Sequence, residues 1–170
     1  MSENRIITKI YESPCGTLML GSFGDKLCLC DWQVEKHRDH VVNRLRRMLD
    51  AEYTEGLSAV IDRAIAQLDE YFAGRRQVFD IPILFVGTDF QKKVWNALLT
   101  IPFGRTISYG EMARQIGMPK AVRAVANANG ANSISIFAPC HRVIGSDHTL
   151  TGYGGGLAAK EYLLKLENAI

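Results

Sequence analysis

Short apolar runs separated by turn residues dominate the first 32 positions of the chain. Gly, Pro and Asp bound stretches rich in β-branched, aliphatic and aromatic residues, a pattern typical of antiparallel hairpins. It predicts strands over residues 5–11, 17–21 and 27–32. From Val34 onward the apolar residues recur at helical spacing, which predicts helices over residues 34–49 and 57–73. The first half of the chain is therefore expected to combine a small sheet with two helices.

An extended segment at residues 79–85 separates this region from a second half of different character. Pro82 lacks a backbone donor, so the segment is not expected to be a central strand. We place the domain boundary here. The expected domains are residues 1–84 and residues 85–170.

Helix start and stop signals divide the second half into four predicted helices. They cover residues 89–99, 109–116, 120–129 and 157–167. Ser108 caps the second helix, with Glu111 three residues later as in a capping box. The second and third helices, joined by a turn at 117–119, form a helix-turn-helix candidate. Two helices and a turn also occur in folds that bind no DNA.

After its first residue, Lys120, the third predicted helix carries small side chains almost throughout, with Arg123 as the one long cation among them. Small side chains let a helix approach a narrow surface closely, as the minor groove of DNA requires. Alanine is also a strong helix former that packs well against neighbours. Composition alone leaves both interpretations open.

Overall composition is that of an ordinary globular chain, but its charge is uneven. Of 170 residues, 47% are hydrophobic and 22% are charged. No apolar run approaches the roughly 20 residues of a membrane span, and the N-terminus does not resemble a secretory signal. The four cysteines form no disulfide framework, so we expect a reducing, cytoplasmic location. Residues 1–90 carry 11 basic and 14 acidic side chains, whereas residues 91–170 carry 9 and 4, so any polyanion is expected to bind the second half.

The candidate chemistry lies at residues 139–143, Pro-Cys-His-Arg-Val. Thiolate is the reactive form of cysteine, and an imidazole is a usual base for producing it, so Cys140 and His141 are a candidate nucleophile and base. Adjacent side chains in extended backbone point to opposite faces, so a bridging water is expected between them. A buried, unreactive cysteine is the plain alternative. A Cys-His hydrolase would leave the arginine-bearing helix unexplained, and a DNA-binding regulator would not need Cys140.

Together these motifs resemble the O6-alkylguanine-DNA alkyltransferase family, the methylated-DNA–protein-cysteine methyltransferases. The matching stretches are residues 107–109, 121–125, 129–132, 139–143, 153–156 and 160–167, with a looser match over residues 1–80. The resemblance implies an α/β (α+β) N-terminal ribonuclease H-like domain followed by a mainly α, winged helix-turn-helix C-terminal domain. It also implies irreversible transfer of an alkyl group from guanine O6, and less readily from thymine O4, to Cys140.

The resemblance further implies a role for each catalytic residue. Glu167 orients His141, which takes the proton of Cys140 through water. Tyr109 donates a proton to the leaving base, and Asn132 braces the turn before the cysteine. Without the resemblance, Glu167 would be interpreted as a solvated carboxylate at a helix end, and Tyr109 would serve equally well as a packing aromatic.

Two further sets of residues follow from the same resemblance. The implied substrate pocket consists of Val143, Tyr153, Gly154 and Ser135. Many relatives carry serine at the position of Gly154, where a main-chain contact to the substrate is expected. The implied DNA-binding residues are Arg123, which fills the space left by a flipped nucleotide, with Ala121, Ala124, Tyr109 and Lys120.

The implied partner is double-stranded DNA containing O6-alkylguanine, bound from the minor groove by a monomer without membrane association. No cofactor is implied. The cysteines at 15, 28 and 30 and the histidines at 37 and 40 lack the spacing of a structural zinc site, so no metal is expected. A related damage sensor that binds alkylated DNA without transfer is the alternative function, and the presence of Cys140 argues against it. The sequence leaves adduct preference and cooperativity on DNA undecided.

Overall fold

A four-stranded sheet begins the fold in the computed structural model, which describes residues 4–170 except for the side chains of Glu35 and Lys36. Its strands are β1 (Arg5–Ser13), β2 (Gly16–Phe23), β3 (Lys26–Trp32) and β4 (Glu52–Glu55), in the order β3-β2-β1-β4. The first three form an antiparallel meander, which confirms the predicted strands, and β4 pairs parallel to β1. The sequence does not predict β4, because four residues with glutamate at both ends show no apolar alternation.

Two helices pack on this sheet, α1 (Glu35–Leu49) and α2 (Ala59–Phe72), each within two residues of its predicted bounds. The Ser58 hydroxyl accepts a bond from the Ile61 amide and fixes the start of α2. The apolar stripe of α2 is buried in the largest core cluster, and α1 is buried in a separate cluster through Val41 and Leu45. The first domain is thus a sheet with helices, as expected.

The free edge of β3 is covered first by the extended segment that connects the two halves of the chain. The Leu27 amide donates to the Pro82 carbonyl, and the Leu84 amide donates to the Leu27 carbonyl, each at 2.9 Å. Pro82 takes part only through its carbonyl, as its missing amide requires. An edge strand that would otherwise expose unpaired backbone groups is thereby protected.

The same edge also holds the loop that leads to the candidate nucleophile. The Cys30 amide donates to the Ser133 carbonyl, and the Ser135 amide donates to the Cys30 carbonyl, both at 2.8 Å. The N-terminal sheet therefore fixes the backbone five residues before Cys140.

The C-terminal half is mainly helical, as predicted. It contains α3 (Asp89–Leu98), α4 (Tyr109–Gln115), α5 (Val122–Gly130) and α6 (Leu157–Leu166), with two short parallel strands, β5 (Ile107–Ser108) and β6 (Val143–Ile144). Capping boxes at Thr88 and Ser108 fix the starts of α3 and α4. The helix-turn-helix of α4 and α5 packs with α3 around Trp95, whose indole donates to the Ala128 carbonyl at 2.8 Å. No helix within residues 4–170 is long and apolar enough to cross a membrane.

One helix begins later than predicted, and one local prediction is wrong. The third C-terminal helix begins at Val122 rather than at 120, because the Ala121 amide closes a turn with Met118 and alanine offers no side-chain cap. Cys140–Arg142 forms one turn of 3-10 helix rather than extended backbone, closed by a bond from the Arg142 amide to the Pro139 carbonyl. The domain boundary at residues 84 and 85 stays a prediction.

Candidate active site

Cys140 is 4% exposed and follows a tightly braced turn. The Asn132 side chain spans this turn, donating to the Ala138 carbonyl at 2.9 Å and accepting from the Ile134 amide at 3.0 Å. Within the turn, Ile136 has a φ of 72°, which is strained for a β-branched residue. Asn132 thus makes the contacts that the implied bracing role requires.

A buried pair of His141 and Glu167 lies behind the cysteine. The distance from His141 Nε2 to Glu167 Oε2 is 2.7 Å, and neither side chain is exposed. Nδ1 of His141 is buried and has no hydrogen-bond partner among residues 4–170. Because Nε2 donates to the carboxylate, Nδ1 is the free acceptor of the neutral ring. The imidazole is therefore arranged to accept a proton.

Glu167 accepts hydrogen bonds from two further side chains. Arg142 donates from Nε to Oε1 at 2.8 Å and from Nη2 to Oε2 at 3.1 Å, and the Tyr71 hydroxyl donates to Oε2 at 2.6 Å. Burial acts to raise the pKa of Glu167, but the contacts with His141 and Arg142 lower it to about 2. The interpretation of Glu167 as a solvated helix-end carboxylate is wrong, since the side chain is buried and ionised.

Burial shifts the pKa values of His141 and Cys140 in opposite directions. It lowers the pKa of His141, because desolvation disfavours the imidazolium, while the Glu167 carboxylate opposes this effect. It raises the pKa of the Cys140 thiol, although Asn132, Lys160 and Ser135 act to lower it. The resting site therefore combines a neutral imidazole with a neutral thiol, and the thiolate must form during the reaction.

Lys160 connects the glycine-rich loop, residues 151–156, to strand β6, which follows the cysteine. Its buried ammonium donates to the carbonyls of Val143 at 2.7 Å and Thr151 at 2.9 Å. The Tyr109 hydroxyl donates to the same Thr151 carbonyl at 3.3 Å, and its ring centre lies 5.9 Å from Nζ. Burial lowers the pKa of Lys160 to about 8, and Cys140 acts in the opposite direction. A cation is thus held near the thiol.

A cavity of about 520 Å³ adjoins the core cluster that contains Cys140. It is lined by Val34, His37, Tyr109, Ala126, Asn127, Gly130, Thr151, Gly152, Tyr153 and Gly154. Tyr109 and Tyr153 pack against the core cluster that contains Cys140, which places this part of the lining near the thiol. Burial raises the pKa of both tyrosines, and Cys140 raises it further. Of the implied pocket residues, Tyr153 and Gly154 line the cavity, whereas Val143 and Ser135 are buried outside its lining.

Four of the five implied DNA-binding residues lie on the solvent side of α5 and of the turn before it, whereas Tyr109 is half-buried at the start of α4. Lys120, Arg123 and Ala124 are exposed, and Ala121 is half-buried. The opposite side of α5 packs into the core through Val125. The exposed side therefore carries one long cation among small side chains, and the same helix forms one wall of the cavity.

The cysteines and histidines of the first domain were considered above as possible metal ligands. Within residues 4–170, no three His, Cys, Asp or Glu side chains are arranged to hold a metal ion. Cys28 and Cys30 are free thiols in the core. His37 bonds to Asp31 at 2.6 Å.

Comparison with known proteins identifies both halves of the chain. Residues 89–169 match the family model of the 6-O-methylguanine DNA methyltransferase DNA binding domain, and residues 6–85 match its ribonuclease-like domain. A methylated-DNA–protein-cysteine methyltransferase of Mycobacterium bovis is 58% identical over 164 residues, which cover 95% of this chain and 92% of the relative. The chain belongs to the methylated-DNA–protein-cysteine methyltransferase family. A second relative with that name, from Methanosarcina barkeri, is 46% identical over 158 residues, which cover 93% and 94% of the two chains.

A solved structure agrees with this membership. The structure of Mycobacterium tuberculosis OGT in complex with DNA superposes with a TM-score of 0.80 and 44% identity in the structural alignment, covering 99% of this chain and 94% of that one. The predicted fold class is thereby confirmed: a ribonuclease-like domain precedes a winged helix-turn-helix domain.

Three residues at the site of this methyltransferase were not predicted from the sequence. Arg142 belongs to the motif at 139–143, and its position next to His141 was the available signal. Lys160 gives no sequence signal of burial, since lysines are rarely buried. Tyr71 lies in the apolar stripe of α2 and is indistinguishable there from a core aromatic. Each is assigned to the site only by its contact with Glu167 or with the glycine-rich loop.

Proposed function

We propose that this methyltransferase repairs DNA by moving alkyl groups from guanine O6, and less readily from thymine O4, onto its own Cys140. One observation carries the proposal. The buried Glu167–His141 pair leaves Nδ1 as an unpartnered acceptor on the residue next to a buried thiol. Tyr109 and Tyr153, which pack against the core cluster of that thiol, line a cavity that also has α5 as a wall. Family membership supports the same reaction.

In the proposed reaction, Sγ of Cys140 attacks the alkyl carbon. The S–C bond forms while the C–O6 bond breaks, and the bonding electron pair passes to guanine. The thiol proton moves through a bridging water to Nδ1 of His141, and the ionised Glu167 stabilises the resulting imidazolium. The thioether product does not revert, so each molecule acts once.

The leaving guanine needs a proton of its own. Tyr109 lines the cavity, and its hydroxyl, which donates to the Thr151 carbonyl in this structure, can turn to donate to a ring nitrogen of the base. The proton that Tyr109 gives up is balanced by the one that His141 gains. The two groups then re-equilibrate with solvent.

Access to the base explains the arrangement of α5. A buried thiol cannot reach a base inside a duplex, so the damaged nucleotide must be flipped into the cavity. The exposed Arg123 would fill the space left in the stack, while Ala121 and Ala124 allow close approach from the minor groove. Lys120 would face the phosphates. Action as a cytoplasmic monomer belongs to the same proposal.

The direct test is incubation with a duplex carrying one O6-methylguanine, followed by peptide mapping by mass spectrometry. The expected result is one added methyl on Cys140 and no turnover beyond one equivalent. Cys140→Ala should retain DNA binding and lose transfer, and transfer that survives this substitution would refute the proposal. Binding of alkylated DNA without transfer by the unaltered protein would favour the damage-sensor alternative.

A second test separates flipping from chemistry. Arg123→Ala should strongly slow repair of duplex DNA and spare the reaction with free O6-benzylguanine, which needs no flipping. Equal losses on both substrates would contradict the role given to Arg123.

A further inference from the structure

Two side chains of the ribonuclease-like domain contact the glycine-rich loop directly. Trp32 ends β3, and its ring meets Tyr153 edge-on with centres 5.8 Å apart. His37 lies in the first turns of α1 and lines the same cavity as Tyr109 and Gly154. The wall of the cavity is therefore built from both domains.

Asp31 fixes the position of His37. Its Oδ1 lies 2.6 Å from His37 Nε2, and the aspartate is only 1% exposed. The second oxygen, Oδ2, is buried and has no hydrogen-bond partner among residues 4–170, so the bond to His37 is the principal contact of this carboxylate. Moving the ring away would leave a buried carboxylate without its donor, at a cost of about 1–3 kcal/mol or more.

The fixed ring explains why residue 154 is glycine. A Cβ at Gly154 would lie 2.8 Å from His37 Nε2 and 3.0 Å from two of its ring carbons. A Cβ at Gly155 would lie 2.6 Å from a ring carbon of Trp32. Neither glycine has a positive φ, so the reason for glycine is close approach rather than backbone conformation.

We infer that the Asp31–His37 pair, together with Trp32, positions the loop of residues 153–155 and sets the width of the alkyl pocket. The inference rests on the proposed alkyl transfer and extends it to adduct size. His37 acts through the loop, so it is a positioning residue rather than a catalytic one. The inference also couples two positions: a side chain larger than glycine at 154 should slow transfer while the ring at 37 is present, and should be tolerated when that ring is absent.

The test is a double-mutant cycle with free O6-benzylguanine, using Gly154→Ser, His37→Ala and the combination. Single-turnover rates measured against substrate concentration separate the rate of transfer from binding. Gly154→Ser should slow transfer by roughly tenfold to a hundredfold, because it displaces a pocket wall. Adding His37→Ala should return most of that loss. Equal losses in both backgrounds, or no loss in the single variant, would overturn the inference.

A matched control shows that the effect belongs to this contact. Gly56→Ser adds the same atoms on an exposed loop, where a Cβ would lie 3.5 Å from Ile7, an ordinary contact. It should leave transfer unchanged. Thermal unfolding of each variant reports whether a slow protein is still folded.

A second readout does not depend on the serine variant. His37→Ala alone should widen the pocket and raise the ratio of benzyl to methyl transfer rates several-fold, and an unchanged ratio would contradict the inference. If the unaltered protein fails to alkylate Cys140, the proposed function fails. If it reacts but the cycle is additive and the ratio is constant, only the role of His37 fails.

Discussion

Replacing Tyr71 with phenylalanine tests how strongly the buried carboxylate of Glu167 couples the two domains. Tyr71 belongs to α2 in the ribonuclease-like domain, and its hydroxyl donates to Glu167 Oε2 at 2.6 Å across 96 residues of sequence. Both side chains are 1% exposed. Burial, and then the neighbouring Glu167, raise the pKa of Tyr71 above its ordinary value, so this hydroxyl is protonated and can donate at neutral pH.

The expected loss in the free energy of unfolding follows from the chemistry of that hydrogen bond. A hydrogen bond to a charged group contributes about 1.5–3 kcal/mol. Phenylalanine fills nearly the same volume, so no cavity term is added. Because Oε2 keeps its bonds to His141 and Arg142, the carboxylate is not left without donors, and the loss should lie near the lower limit.

The assay is equilibrium unfolding in urea, with Tyr11→Phe as the matched control. The Tyr11 hydroxyl also donates to a carboxylate, Oδ1 of Asp69, at 2.7 Å, but Asp69 is exposed. Water can replace that bond, so the control should lose less than about 1 kcal/mol. Equal losses in the two variants, or a loss below about 0.5 kcal/mol for Tyr71→Phe, would refute the reasoning.

Three further predictions concern the same site. The pKa of Glu167 is depressed from 4.5 to about 2, so the ionised carboxylate contributes roughly 3 kcal/mol to the free energy of unfolding above pH 4.5, and this contribution is lost as pH falls toward 2. Urea unfolding measured across that window should show the loss, and Glu167→Gln should flatten this pH dependence. Lys160→Met removes a charge that favours the Cys140 thiolate while Lys160 is protonated, so alkylation by iodoacetamide should slow below about pH 8, and an unchanged rate there would argue against this electrostatic role. Asn132→Ala removes two hydrogen bonds that brace the turn, so it should lower the free energy of unfolding by about 2–4 kcal/mol, measured by thermal unfolding, and should slow transfer. A variant as stable as the unaltered protein would show that the turn holds without Asn132.

Much of the fold could be predicted from local pattern. The three strands of the meander and helices α1 to α4 follow from alternation, helical spacing and capping residues such as Ser58 and Ser108, all of which act within a few residues. Where local signals were weak, prediction was less accurate. The alanine-rich start of α5 has no capping side chain, and β4 has no apolar alternation.

The sequence by itself determined most of the secondary structure and the choice of the Cys140 thiol as candidate nucleophile, because helical periodicity, caps and the motif at 139–143 lie within short stretches of chain. The tertiary structure alone decided which side chains surround that thiol. Tyr71 reaches Glu167, Cys30 fixes the loop before Cys140, and His37 meets Gly154, each contact joining residues about 96 to 117 positions apart. Burial lowers the pKa of His141 and raises that of the Cys140 thiol, and the contact between His37 and Gly154 fixes the cavity wall. Burial depends on how distant segments pack, and no local pattern records it.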